Sequence, residues 1–139
     1  MSNPQIMTLP TISNDGRGMS FFGARDISLS GDITRLLSDQ IDAVNFRLRH
    51  SEAYSSDYHC AGDPTLLIVL SGAIRIELRS GETRDFAQGD LYIAEDYLEA
   101  GVTFDPAIHG HRAEMIGETP YKAVHIKLAR RKPKSMRVN

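Results

Sequence analysis

From residue 43 onward the chain is a series of short runs in which apolar and polar residues alternate, separated by turn formers. Val44, Phe46 and Leu48 alternate with Asn45, Arg47 and Arg49, which predicts a half-buried strand with one apolar and one charged face. Residues 66–70 are apolar on both faces and lie between Pro64 and Ser71-Gly72, as expected of a strand covered on both sides. Ile74, Ile76 and Leu78 alternate with Arg75, Glu77 and Arg79 until Ser80-Gly81 ends the run. Phe86, Leu91 and Ile93 flank Gln88-Gly89-Asp90, where glycine supplies positive φ and aspartate bonds its own backbone, so a hairpin is expected. His111, Ala113 and Met115 share one face of the next run, and Arg112 and Glu114 take the other. After the turn at residues 117–120, Val124, Ile126 and Leu128 alternate with Ala123, His125 and Lys127. A succession of short strands like this predicts an all-β sandwich or small barrel. The one helical expectation is a short turn over residues 32–41, capped by Asp32 and carrying Leu36 and Leu37. Residues 1–20 mix Pro, Ser, Asn and Gly without a period and read as an extended arm.

Length and charge narrow the picture. At 139 residues and 15.4 kDa the chain fits one domain, large enough to bury a core without disulfides. No apolar run approaches the roughly 20 residues that span a bilayer as a helix, so no membrane partner is expected. Sixteen basic against eighteen acidic residues give a net charge of −2, which supplies no electrostatic case for nucleic acid. The charge is uneven: residues 129–139 hold five basic residues and no acid, leaving eleven basic against eighteen acidic, net −7, in residues 1–128. Such a tail reads first as a solvated end. The single Cys60 excludes an intramolecular disulfide framework and suits a reducing compartment, and the N-terminus lacks a signal-peptide pattern, so a cytoplasmic location is expected.

Several stretches resemble the cupin superfamily of jelly-roll β-barrels over about residues 44–128. They are Leu70-Ser71-Gly72 with the alternating strand after it, Phe86-x-x-Gly89-Asp90, and His111 with Gly117 six positions on. More narrowly, His59-x-Ala61 ahead of Leu70-Ser71-Gly72, together with Ala94-Glu95-Asp96 and Gly110-His111, resembles small single-domain bacterial cupins of unassigned activity. The implied fold is a single-domain cupin jelly-roll barrel with an extended N-terminal arm and at most one short helix. Its divisions are residues 1–20 for the arm, 21–128 for the barrel and 129–139 for the basic tail. Cupins include dioxygenases, isomerases, lyases, decarboxylases and plain binders, so the resemblance does not choose a reaction.

Metal-dependent cupins bring an H-x-H pair, a Glu and a later His onto the inner barrel wall, a donor set suited to iron, manganese, nickel or zinc. Counted back from Gly72, the first His falls on His59, the second on Ala61 and the Glu on Thr65, while the later His falls on His111. His59 and His111 are therefore the metal candidates, for one divalent Fe, Mn, Ni or Zn ion at most. Glu95, Asp96 or His109 would have to complete an altered set. Without a metal, His59 reads as a hydrogen-bonded wall histidine and His111 as an inward acid/base group. Asp96 is either a general acid or base or a turn-capping aspartate, and His109 either a ligand contact or a loop residue. Cys60 alternates away from His59 and reads as a small buried hydrophobe. The resemblance to small bacterial cupins implies that residues 97–108 are an insertion, and their apolar side chains, such as Phe104, lead to the expectation that it covers the barrel mouth or packs on a second subunit.

Three functions follow as expectations. The first is an enzyme acting on a small polar organic molecule, with His59, His111 and Asp96 catalytic and Thr65, Ala61, Met115, Phe104 and His109 contacting the ligand. An isomerase or lyase is favoured, or a metal-dependent oxygenase if metal is bound. The second is a non-catalytic module that binds or senses such a molecule. The third is a structural partner protein. A homodimer is expected in each case, with Leu66, Ile68 and Leu70 as outward apolar positions that a second copy would cover.

Overall fold

The computed structural model describes residues 5–130, and these form ten strands with no helix among them. In chain order they are β1 (Gln5–Asn14), β2 (Ser20–Asp32), β3 (Arg35–Leu37), β4 (Ala43–Ser51), β5 (Thr65–Ser71), β6 (Ala73–Leu78), β7 (Thr83–Ala87), β8 (Leu91–Ala94), β9 (His111–Ile116) and β10 (Tyr121–Leu128). The larger sheet runs β3-β2-β1-β8-β5-β10-β4 and the smaller β7-β6-β9. Every pairing is antiparallel except β1 with β8. This is the two-sheet, cupin-like jelly roll that the alternating runs predict.

Period-2 alternation builds the core. Ile12, Leu67, Val69, Tyr121 and Ala123 point inward from the larger sheet and meet Ile74, Ile76 and Ala113 of the smaller one. Phe86 stacks on Tyr92 with ring centroids 4.2 Å apart. Burying each large side chain contributes about 1.5–3 kcal/mol, enough for a chain of this size to close without covalent staples.

Three segments differ from their sequence expectations. Residues 32–41 are not helical. Oδ1 of Asp32 accepts hydrogen bonds from the backbone N and Oγ1 of Thr34 and so turns the chain straight into β3, which pairs back on β2. An aspartate bonding two residues ahead serves a hairpin as well as a helix cap, and a stretch this short nucleates a helix poorly. Within the predicted arm, Gln5–Asn14 is a strand of the larger sheet, and its Ile12 is completely buried. The third difference is in β4, which faces the opposite way from a half-buried strand. Its apolar residues Val44, Phe46 and Leu48 are exposed on the outer side, while Arg47 and Arg49 pair with the inward His125 and Ala123. Of the basic tail over 129–139, only Ala129 and Arg130 lie within the described residues; Arg130 binds Asp63 and the carbonyl of Gly62.

Candidate functional site

His59 and His111 lie directly opposite each other, one on the connector before β5 and the other at the start of β9. Their backbones exchange two hydrogen bonds, His59 N to His111 O at 2.8 Å and His111 N to His59 O at 2.9 Å. In such a pair both side chains leave on the same face, and the two rings sit 4.7 Å apart, centroid to centroid. Gly110 makes the approach possible: its φ is +88°, and a Cβ there would lie 2.5 Å from the His59 carbonyl oxygen.

Each imidazole is anchored through Nδ1. His59 Nδ1 lies 3.0 Å from the Asp57 carbonyl oxygen, which can only accept, so this nitrogen carries the proton. His111 Nδ1 donates to Asp96 Oδ2 at 2.6 Å. Asp96 is completely buried; its Oδ2 also accepts from Ser20 Oγ, and its Oδ1 accepts from the backbone N of Ala61. Burial pushes the Asp96 carboxyl up, but the bond and charge of His111, with Ser20 and Ala61, outweigh it and hold the carboxyl below its ordinary value. Asp96 is therefore ionised behind His111, and Nε2 of each histidine is the nitrogen left for other chemistry.

Between the sheets lies a cavity of about 140 Å³ lined by His59, Ala61, Thr65 and His111 on one side and by Arg49, Tyr54, Tyr121 and His125 on another. His59 and Ala61 also border a shallow outer groove of about 420 Å³ whose far wall is Leu98 and Phe104. The structure thus brings His59, His111, Asp96, Ala61 and Thr65 together. Phe104 reaches only the outer groove, and Met115 packs against the core. His109 is occupied elsewhere: Nδ1 accepts from the backbone N of Asp105, and Nε2 meets the carbonyl oxygen of Arg17, tying the 97–108 segment to the β1–β2 turn. Arg79 fastens the same segment through the carbonyls of Pro106 and His109. Cys60 faces the groove, and burial, followed by the Asp96 charge, pushes its thiol up to about 11, well away from thiolate chemistry.

As a metal centre the donor set does not fit. Two imidazoles converge, Ala61 and Thr65 stand where further donors would be, and both Asp96 oxygens are already engaged. Among the described residues, no group of three or more His, Cys, Asp or Glu side chains is placed to hold an ion.

Arg49, Tyr121 and His125 escape a reading that takes the apolar row of each strand as the inner one. The signal is parity: Ala123 is a core position, so Tyr121 and His125 share its face, and Arg49 pairs with it.

No protein-family model matches this chain, and no curated protein does. Similar solved structures include protein NMB1881 from Neisseria meningitidis, at 14% identity and a TM-score of 0.42 over 66% of this chain and 84% of that one. An HTH_3 family transcriptional regulator from Vibrio cholerae aligns at 15% identity and a TM-score of 0.33 over 92% of this chain, which spans about half (52%) of that protein. A candidate ethanolamine utilization protein Q from Salmonella typhimurium LT2 aligns at 12% identity and a TM-score of 0.29 over 92% of this chain and 97% of that one. These are distant likenesses of β architecture, and the fold assignment rests on this chain's own strand order.

Proposed function

We propose that this chain is a cupin-like enzyme of the isomerase or lyase type that holds a small polar organic molecule in the barrel cavity. The observation that carries the reading is the buried Asp96 carboxylate bonded at 2.6 Å to Nδ1 of a cavity-lining histidine, His111. A carboxylate there fixes the imidazole's tautomer and stabilises the imidazolium that forms when Nε2 takes a proton. His59, its ring centroid 4.7 Å away, presents a second Nε2 to the same molecule. One imidazole removes a proton from carbon or oxygen, and the other, once protonated, returns one to a neighbouring atom or to a departing hydroxyl. The first outcome is an isomerisation and the second an elimination, with the proton accounted for in each. General acid–base catalysis of this kind contributes about 10²–10⁴-fold.

The test is carbon–hydrogen exchange. Small hydroxy, keto and aldehyde compounds are incubated with the protein in D2O, and deuterium uptake is followed by proton NMR. Enzyme-dependent exchange that disappears in His111→Gln and falls steeply in His59→Gln supports the reading. Saturable binding of the same compounds with no exchange would instead establish a binding or sensing module.

A further inference from the structure

One wall of the barrel cavity carries polar groups that the protein leaves unused. Tyr121 is completely buried, and its hydroxyl has only the Tyr92 hydroxyl close by, with no hydrogen bond of good geometry among the described residues, so its own O–H remains free to donate. Nε2 of His125, on the same inner row of β10, is buried and equally without a partner among them. Arg49 lies beside them on β4, its guanidinium 4.0 Å over the Tyr54 ring and 5.9 Å from that of Tyr121. Among the described residues only its Nε is hydrogen-bonded, donating to Ser51 Oγ at 3.0 Å. Among the described residues no Asp or Glu lines the cavity, so this guanidinium is the one fixed charge in a lining otherwise made of imidazole, hydroxyl, aromatic and apolar groups. Buried polar groups are normally satisfied, and a cluster left open around a cation marks where a ligand completes the set.

We propose that Arg49, Tyr121 and His125 form a carboxylate-binding subsite, so that the molecule held in the barrel is a small organic acid. This deepens the functional reading above and rests on it for the location of the site. A guanidinium fork matches the two oxygens of a carboxylate, and the Tyr121 hydroxyl donates a further bond to them. His125 supplies an uncharged partner beside them: burial, with Arg49 and Arg47 nearby, holds its imidazole below the ordinary pKa. One guanidinium balances a single negative charge, whereas a phosphate dianion would leave excess charge in a dry pocket. The cavity, about 140 Å³, is smaller than the roughly 300–1,000 Å³ of sites for drug-sized ligands, which restricts the acid to a few carbons. Arg49, Tyr121 and His125 belong to the larger sheet and His111 to the smaller. A carboxylate held on the first wall therefore directs the rest of the molecule toward the histidine pair.

The experiment is a titration of isotope-labelled protein, followed by NMR at the Tyr121 and His125 side chains, with sodium propionate, lactate and pyruvate. Propionamide and sodium phosphate are the comparators at matched ionic strength. Expected are saturable shifts with the carboxylates, with affinity reduced about tenfold or more in Arg49→Gln. Tyr121→Phe removes a hydroxyl whose near neighbour is that of Tyr92, so it keeps the fold and weakens binding severalfold. Propionamide or phosphate binding as tightly as propionate, an unaffected Arg49→Gln protein, or no saturable shift with any carboxylate would each overturn the proposal. Failure of the enzyme reading looks different. Carboxylate binding that persists in His111→Gln without any carbon–hydrogen exchange in the parent protein removes catalysis and keeps the subsite. Exchange on neutral substrates alone does the reverse.

Discussion

Replacing Asp96 by Asn changes almost no volume but forces a rearrangement of protons that can be worked out atom by atom. The carboxylate accepts from Ser20 Oγ at 2.5 Å, from His111 Nδ1 at 2.6 Å and from the Ala61 backbone N at 3.0 Å. The Ala61 N–H can only donate, so the amide oxygen of the asparagine must stay on that side. Its NH2 group then faces Ser20 and His111. The serine hydroxyl rotates to accept, but His111 must give up the proton on Nδ1 and carry it on Nε2, which removes the free base from the cavity. Three charge-assisted bonds become neutral ones at about 1 kcal/mol each, partly offset because a charge is no longer buried. The net loss is about 1–2 kcal/mol, or roughly 4–8 °C in Tm for a domain of this size. Long-range proton–nitrogen NMR reads the tautomer directly, and thermal or urea unfolding gives the stability. If His111 keeps its Nδ1 proton in Asp96→Asn and stability stays within about 0.5 kcal/mol of the parent, the carboxylate is not what holds the histidine.

Four other outcomes are expected. His125 is neutral in the fold because burial, then Arg49 and Arg47, lower its pKa, while the unfolded chain protonates it near pH 6.5. As the pH falls below that value the unfolded state binds more protons, so stability drops on the acid side, and His125→Asn should flatten that slope in urea titrations; an unchanged slope contradicts it. Gly110→Ala places a Cβ 2.5 Å from the His59 carbonyl oxygen at a φ of +88°. It should cost at least about 2 kcal/mol in urea unfolding, and a loss below half of that would show that the histidine pair tolerates separation. Val44, Phe46, Leu48 and Leu70, 49–72% exposed on the outer face, are proposed to be covered by a second copy of the chain. Sedimentation should find two copies that separate in a Phe46→Asp/Leu48→Asp protein, and a parent that runs as one copy sinks this idea. Elemental analysis of untagged protein should find well under one iron, manganese, nickel or zinc per chain, since two imidazoles alone converge. Near-stoichiometric metal lost in His59→Ala/His111→Ala would refute that account.

Strand positions were legible because alternation has a fixed period, and the runs around Val44, Leu67, Ile76, Ala113 and Val124 all lie in strands. Which face turns inward was not legible in β4, since parity is blind to side. Only the pairing of Arg49 with Ala123 reveals that Arg49 turns to the interior while Phe46 and Leu48 do not. His59 and His111 were marked by resemblance, but their direct opposition depends on a backbone pairing outside any strand run for His59. Asp32 carried a true local signal, a bond to the residue two ahead, that suits two kinds of structure. His109 sits two residues from His111 in sequence, yet its partners are the backbones of Asp105 and Arg17, in keeping with the loop alternative rather than the ligand contact. Ser20, the hydroxyl on Asp96, comes from a segment with no local feature to mark it.

The three donors on Asp96 lie 76, 35 and 15 residues from it along the chain, at Ser20, Ala61 and His111. Bringing such remote segments together costs loop-closure entropy before any bond forms, and contacts of this span slow folding and form late. The histidine pair therefore cannot be prepared locally by a partly folded chain. His111 acquires its Asp96-bonded state only when the first hairpin, the connector after β4 and the start of β9 have all docked, so its ring nitrogen resonances serve as a reporter of completed folding.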